Sequence, residues 1–138
     1  MTNDYEPTII AFCCNWCSYA AADSAGTARM QYPPNIYIIR CMCSGMVHPN
    51  LVMNTLTQGL ADGILICGCH IGDCHYQDGN KRAEKRAEAI RLMFEDFGLE
   101  EERFRLEWIS ASEGHKFAAI AEEMTKTLKK LGPNPYKN

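Results

Sequence analysis

Gly63-Ile64-Leu65-Ile66 runs without a polar residue into Cys67-Gly68-Cys69-His70-Ile71-Gly72-Asp73-Cys74-His75-Tyr76. An aliphatic, β-branched run with no polar alternation is the pattern of a strand buried on both faces of a parallel sheet. Two earlier stretches repeat the plan. Thr8-Ile9-Ile10-Ala11-Phe12 leads into Cys13-Cys14-Asn15-Trp16-Cys17, and Ile36-Tyr37-Ile38-Ile39 leads, after Arg40, into Cys41-Met42-Cys43. A fourth run, Phe104 to Ile109, alternates more and reads as an edge strand.

Helical patterns lie between and after these runs. Tyr19 to Met30 is small and alanine-rich, and Pro49 to Leu60 places Val52, Leu56 and Leu60 on one side. From Ala83 an apolar stripe passes through Ala87, Ile90, Phe94 and Phe97, opposite Arg82, Glu84 and Lys85, and Gly98 supplies a stop. The last helix carries Phe117, Ile120, Met124, Leu128 and Leu131, with Ser110 and Glu113 as its capping box. Strand followed by helix, four times over, predicts an α/β fold: an open parallel four-stranded sheet with right-handed crossovers and flanking helices, in the flavodoxin-like order 2-1-3-4. No linker breaks the chain, so residues 1–138 read as one domain, with 132–138 an extended or loose tail, since Gly132-Pro133-Asn134-Pro135 cannot continue a helix.

Hydrophobic residues make up 46% of the 138, enough for a core without disulfides. The net charge of −3 argues against a nucleic-acid partner. No apolar run approaches the roughly 20 residues that cross a bilayer. The opening MTNDYEPT carries acids and a proline where a secretory signal carries a basic and then an apolar stretch. The expected location is therefore cytoplasmic, away from membranes.

In that compartment thiols stay reduced, so eight cysteines point to metal or redox chemistry. They fall at 13, 14 and 17, at 41 and 43, and at 67, 69 and 74, in each case behind one of the first three strands. Ligands in open α/β sheets bind outside the carboxyl ends of the strands, so the topology gathers these thiols at one crevice. An iron–sulfur cluster needs four thiolates, and the best candidates are Cys14, Cys17, Cys43, Cys69 and Cys74. Gly68 and Gly72 allow the backbone to approach such a centre. Cys13, Cys41 and Cys67 directly end their strands and read as small apolar packing residues. His70 and His75 read as hydrogen-bonding neighbours of the site, and Met42 and Met46 as lining. A structural zinc site remains open on ligand type alone, because zinc also takes thiolates and imidazoles. A thiol oxidoreductase working through Cys14-Asn15-Trp16-Cys17 also remains open, but it leaves the other two cysteine groups without a role. There is no nucleophile–base pair, no carboxylate pair set for acid–base work and no G-x-G-x-x-G, so no catalytic site of the chain's own is expected.

The strings CCNWCSYAAADSAG, CSGMV and GCHIGDCHYQDGN resemble the delta subunit of methyl-viologen-reducing [NiFe]-hydrogenase, from about Ile9 to about Phe117. The third string is the most specific. The resemblance implies a [2Fe–2S] cluster, with the family's cysteines falling on Cys14, Cys17, Cys43, Cys69 and Cys74. It also implies electron transfer in methanogenic energy metabolism, from the hydrogenase, through its small subunit, to the flavin subunit of heterodisulfide reductase.

Overall fold

The computed structural model describes residues 6–14, 35–41, 47–68, 79–110 and 112–137. Four strands form one sheet: β1 (Ile9–Cys14), β2 (Ile36–Cys41), β3 (Gly63–Gly68) and β4 (Phe104–Trp108). The order is β2-β1-β3-β4 and every pairing is parallel, as the alternation of strand and helix predicts. Among the described residues the helices are α1 (Pro49–Thr57), α2 (Gly79–Phe97) and α3 (Gly114–Leu131). None of them is long and apolar enough to cross a membrane. The helix expected over Tyr19 to Met30 lies outside the described residues.

Two cores sandwich the sheet. On one face Ile9, Ala11, Leu65 and Ile109 pack against Phe117, Ile120, Met124 and Leu128 of α3. On the other, Phe12, Ile64, Ile66 and Phe104 pack against Val52 and Leu56 of α1 and Ala87, Ile90 and Phe94 of α2. The Phe94 and Phe104 rings meet edge-on at 6.1 Å between centroids. The period-2 side-chain alternation assigns each strand residue to one of these faces.

The strands depart from the sequence reading at their ends. β1 and β3 continue two residues past their aliphatic runs, and β2 takes in Arg40 and Cys41, so Cys13, Cys14, Cys41 and Cys67 are strand residues rather than loop residues. A thiol is small and apolar enough to stay in the ladder. β4 stops at Trp108 and lies at one edge, as expected. β2 does not match the expectation of burial on both faces. It forms the other edge, and Tyr37 and Ile39 are 59% and 44% exposed.

Two apolar stripes also end early. α1 stops at Thr57, three residues short of the expected end, and leaves Leu60 exposed. The cause is Gly59, whose φ of +73° takes the chain out of the helix. A Cβ there would stand 2.7 Å from the Tyr136 carbonyl oxygen, so the C-terminal tail requires the glycine as well. Phe97, the last residue of its stripe, is exposed, because Gly98 at φ +70° turns the chain away immediately after it. At the start of α3 half of the expected capping box forms: the Glu113 carboxylate accepts the Ser110 backbone N–H at 2.8 Å. The Ser110 hydroxyl instead pairs with Ser112.

From Gly132 to Lys137 the chain leaves the helix as expected, but it is pinned rather than loose. The buried Asn134 side chain donates to the Leu56 and Ala61 carbonyls at 2.7 and 2.9 Å, and its backbone N–H donates to Asp62 at 2.9 Å. Lys137 reaches the same carboxylate at 2.7 Å, and Tyr136 donates its hydroxyl proton to the Phe97 carbonyl. Arg103, fully buried, donates to the carbonyls of Asp62, Gly132 and Pro133 and to both carboxylate oxygens of Glu100. Two buried charges therefore fasten the amino-terminal end of the sheet, the end opposite the cysteines.

Candidate metal centre

Because all four strands run the same way, β1, β2 and β3 deliver their last residues to one edge of the sheet. The register fixes which residues meet there. Cys14 lies opposite Cys41, Cys13 opposite Arg40 on one side and Cys67 on the other, and Gly68 opposite Trp108. Two rows result. One crosses Arg40, Cys13, Cys67 and Glu107 on the α3 face. The other carries Cys41 and Cys14, then Gly68 and Trp108, on the α1–α2 face.

The rows differ chemically. Cys13 and Cys67 are both 0% exposed and belong to the core under α3. A hydrogen bond with Cys13 pushes the Cys67 thiol well above the ordinary thiol range, and burial adds to it. Neighbouring Glu107 and Cys41 act in the same direction. Cys13 and Cys67 thus lie inside the core under α3.

In the other row, Cys14 is buried at 1% exposure, while Cys41 is half-buried and packs on the α1–α2 core. Gly68 beside them is buried and brings no side chain, and its carbonyl accepts the Ile109 N–H at 2.8 Å. The structure thus places Cys14 and Gly68 at the carboxyl edge. Cys17, Cys43, Cys69, Cys74 and Gly72, together with His70, His75, Met42 and Met46, lie outside the described residues. Among the described residues no three His, Cys, Asp or Glu side chains converge as a metal cage. The donor set at the edge is sulfur on a rigid parallel scaffold, which suits a soft, thiolate-bound centre better than an oxygen-bound cation. What sequence reasoning misses is Cys41. Its place at a strand end groups it with Cys13 and Cys67, yet alternation along a strand extended to include it puts it on the opposite face.

Several proteins match this sequence over most of its length. An iron–sulfur protein of the F420-non-reducing hydrogenase of Archaeoglobus profundus is 48% identical over 133 residues, 96% of each chain. The iron–sulfur protein of the vhc F420-non-reducing hydrogenase of Methanococcus voltae is also 48% identical, over 96% of this chain and 92% of its own. A third relative belongs to the ferredoxin/F420H2-dependent CoB-CoM heterodisulfide reductase of Methanosarcina acetivorans. It is 46% identical over 92% of this chain but only 16% of its own length. Residues 9–132, from the first residue of β1 to the cap of α3, match the family described as "Methyl-viologen-reducing hydrogenase, delta subunit", and the chain belongs to that family.

Proposed function

We propose that this protein is a cytoplasmic electron-transfer subunit that carries a [2Fe–2S] cluster and relays electrons from a [NiFe]-hydrogenase to the flavin subunit of heterodisulfide reductase. Its ligands are four of Cys14, Cys17, Cys43, Cys69 and Cys74. When bound, the cluster supplies a centre that accepts and releases electrons. The protein's residues hold it, shield it and set its potential through hydrogen bonds and burial around the sulfurs.

The observation that carries this reading is the convergence of three parallel strand ends, each followed at once by a candidate ligand. Cys17 comes three residues after Cys14, Cys43 two after Cys41, and Cys69 one after Gly68. A chain advances at most about 3.6 Å per residue, so these Cα atoms lie within about 11, 7 and 4 Å of their strand ends. Neighbouring strands are about 4.8 Å apart, so the three starting points together span roughly 10 Å. One small cluster fits that span. Two facts about the relatives support the partners. Proteins of matching length are named as iron–sulfur subunits of a hydrogenase, and a region of matching sequence is built into a longer chain of heterodisulfide reductase. That the same sequence is a separate chain in one and part of a longer chain in the other supports a place between hydrogenase and heterodisulfide reductase.

The test begins with protein purified without oxygen. Two irons and two sulfides per chain, with a paramagnetic signal on reduction, are expected; one zinc with no chromophore overturns the reading. Cys69→Ser and Cys74→Ser abolish or severely alter the signal, whereas Cys13→Ser preserves it. For the relay, the hydrogenase and the flavin subunit of heterodisulfide reductase are mixed under hydrogen. Flavin reduction is expected only when this chain is present.

A further inference from the structure

We propose that Cys41 is a positioning residue for the metal centre: its thiol lies against the sulfur of Cys14, donates a hydrogen bond to it, and raises the potential at which the cluster takes up an electron. The inference rests on the proposed ligand role of Cys14. Cys14 and Cys41 are in-register partners on adjacent parallel strands, which puts their backbones about 4.8 Å apart. Cys14 shares its face with Phe12, two residues earlier, and Phe12 lies in the same α1–α2 core on which Cys41 packs. The two side chains therefore leave the sheet on the same face, from neighbouring strands. Cys13 and Cys67 stand on the opposite face, and their hydrogen bond is to each other.

An S–H is a weak donor, and a thiolate bound to iron is an acceptor. Hydrogen bonds to cluster sulfurs stabilise the more negative, reduced state and so raise the potential. Cys41 itself is half-buried at the end of an edge strand, so its substitution by a smaller residue leaves the two cores intact.

The experiment compares the anaerobically purified full chain with Cys41→Ala and Cys41→Ser. It measures iron and sulfide per chain, the reduction potential by EPR-monitored titration, and the g-values of the reduced centre. Full cluster content in both variants is expected, with a lower potential and shifted g-values for Cys41→Ala. Cys41→Ser, which keeps a donor in the same place, restores the potential to the original value or above it. An unchanged potential in a fully loaded Cys41→Ala protein overturns the proposal. So does loss of iron from Cys41→Ala alongside retention in Cys14→Ser, which makes Cys41 a ligand rather than its neighbour. Absence of iron and sulfide from the unsubstituted protein is a different failure, that of the cluster reading itself, and it shows before any variant is made. Far-UV circular dichroism separates both from misfolding.

Discussion

Replacing Arg103 by Met keeps most of the side-chain volume and removes the guanidinium. In the folded protein that group is fully buried and donates to three carbonyls, those of Asp62, Gly132 and Pro133, at 3.0, 2.9 and 3.2 Å. It also forms a bidentate pair with Glu100 at 2.8 and 3.3 Å. Each orphaned carbonyl costs about 1 kcal/mol or more. Glu100 has a side chain 36% exposed, so water takes over much of the lost pair and that contribution is small. The sum, about 3–5 kcal/mol, agrees with the usual cost of removing one partner from a buried charged network. In a chain of 138 residues this corresponds to a melting temperature lowered by about 10–20 °C. Thermal and guanidinium unfolding followed by circular dichroism measure it. Arg103→Lys, with one compact donor in place of the fork, falls in between. Iron and sulfide content at low temperature is expected to stay full in both, because Arg103 precedes β4 and lies about 16 Å, five residues of strand, from the cysteine end. A loss below about 1 kcal/mol in Arg103→Met refutes the assignment of this network as the clasp of the amino-terminal edge.

Three further outcomes follow from the same end of the molecule. Asn134→Ala leaves the Leu56 and Ala61 carbonyls without their donor, at a cost of about 1–3 kcal/mol, and hydrogen exchange of residues 132–137 accelerates relative to α3. Gly63→Ala puts a methyl group 2.7 Å from Leu128 Cδ1 and 2.9 Å from Met124 Cε, so overpacking lowers stability by about 1–3 kcal/mol in denaturant titrations. The hydrogen bond from Arg103 holds the Glu100 carboxyl below its ordinary range. A depressed folded-state pKa contributes stability that is present at neutral pH and is lost as the pH falls through the carboxylate range. Glu100→Gln is therefore expected to flatten the acid side of the melting-temperature profile while changing the shape above pH 6 little.

The sheet is legible because its determinants are local. Three unbroken aliphatic runs read as parallel strands, the intervening helical stripes read as crossovers, and the order β2-β1-β3-β4 agrees with the flavodoxin-like arrangement expected by analogy. The helix stops at Gly98 and Gly132 are equally local, since each marks a positive φ. The grouping of cysteines behind three strands follows from spacing alone. Family membership follows from strings of residues, and the match over 9–132 bears it out.

What the sequence leaves undecided depends on residues far apart in the chain. The order 2-1-3-4 already puts β2 at an edge, but nothing near position 37 says that its Tyr37 and Ile39 stay exposed; that depends on which distant residues cover that face. Nothing near 103 announces a buried arginine, because its acceptors come from residues 41 positions earlier and about 30 later. The tail reads as loose from its prolines and glycine, yet it is held by an aspartate 72 residues away. The cysteines show the division most clearly. Sequence alone brings Cys13, Cys41 and Cys67 to the strand ends as equivalents. The structure separates them: β1, β2 and β3 run on through these positions, so alternation along each strand puts Cys13 and Cys67 under α3 and Cys41 on the opposite face, where the register sets it opposite Cys14, and how far a strand continues and what it pairs with depend on residues far away in the chain.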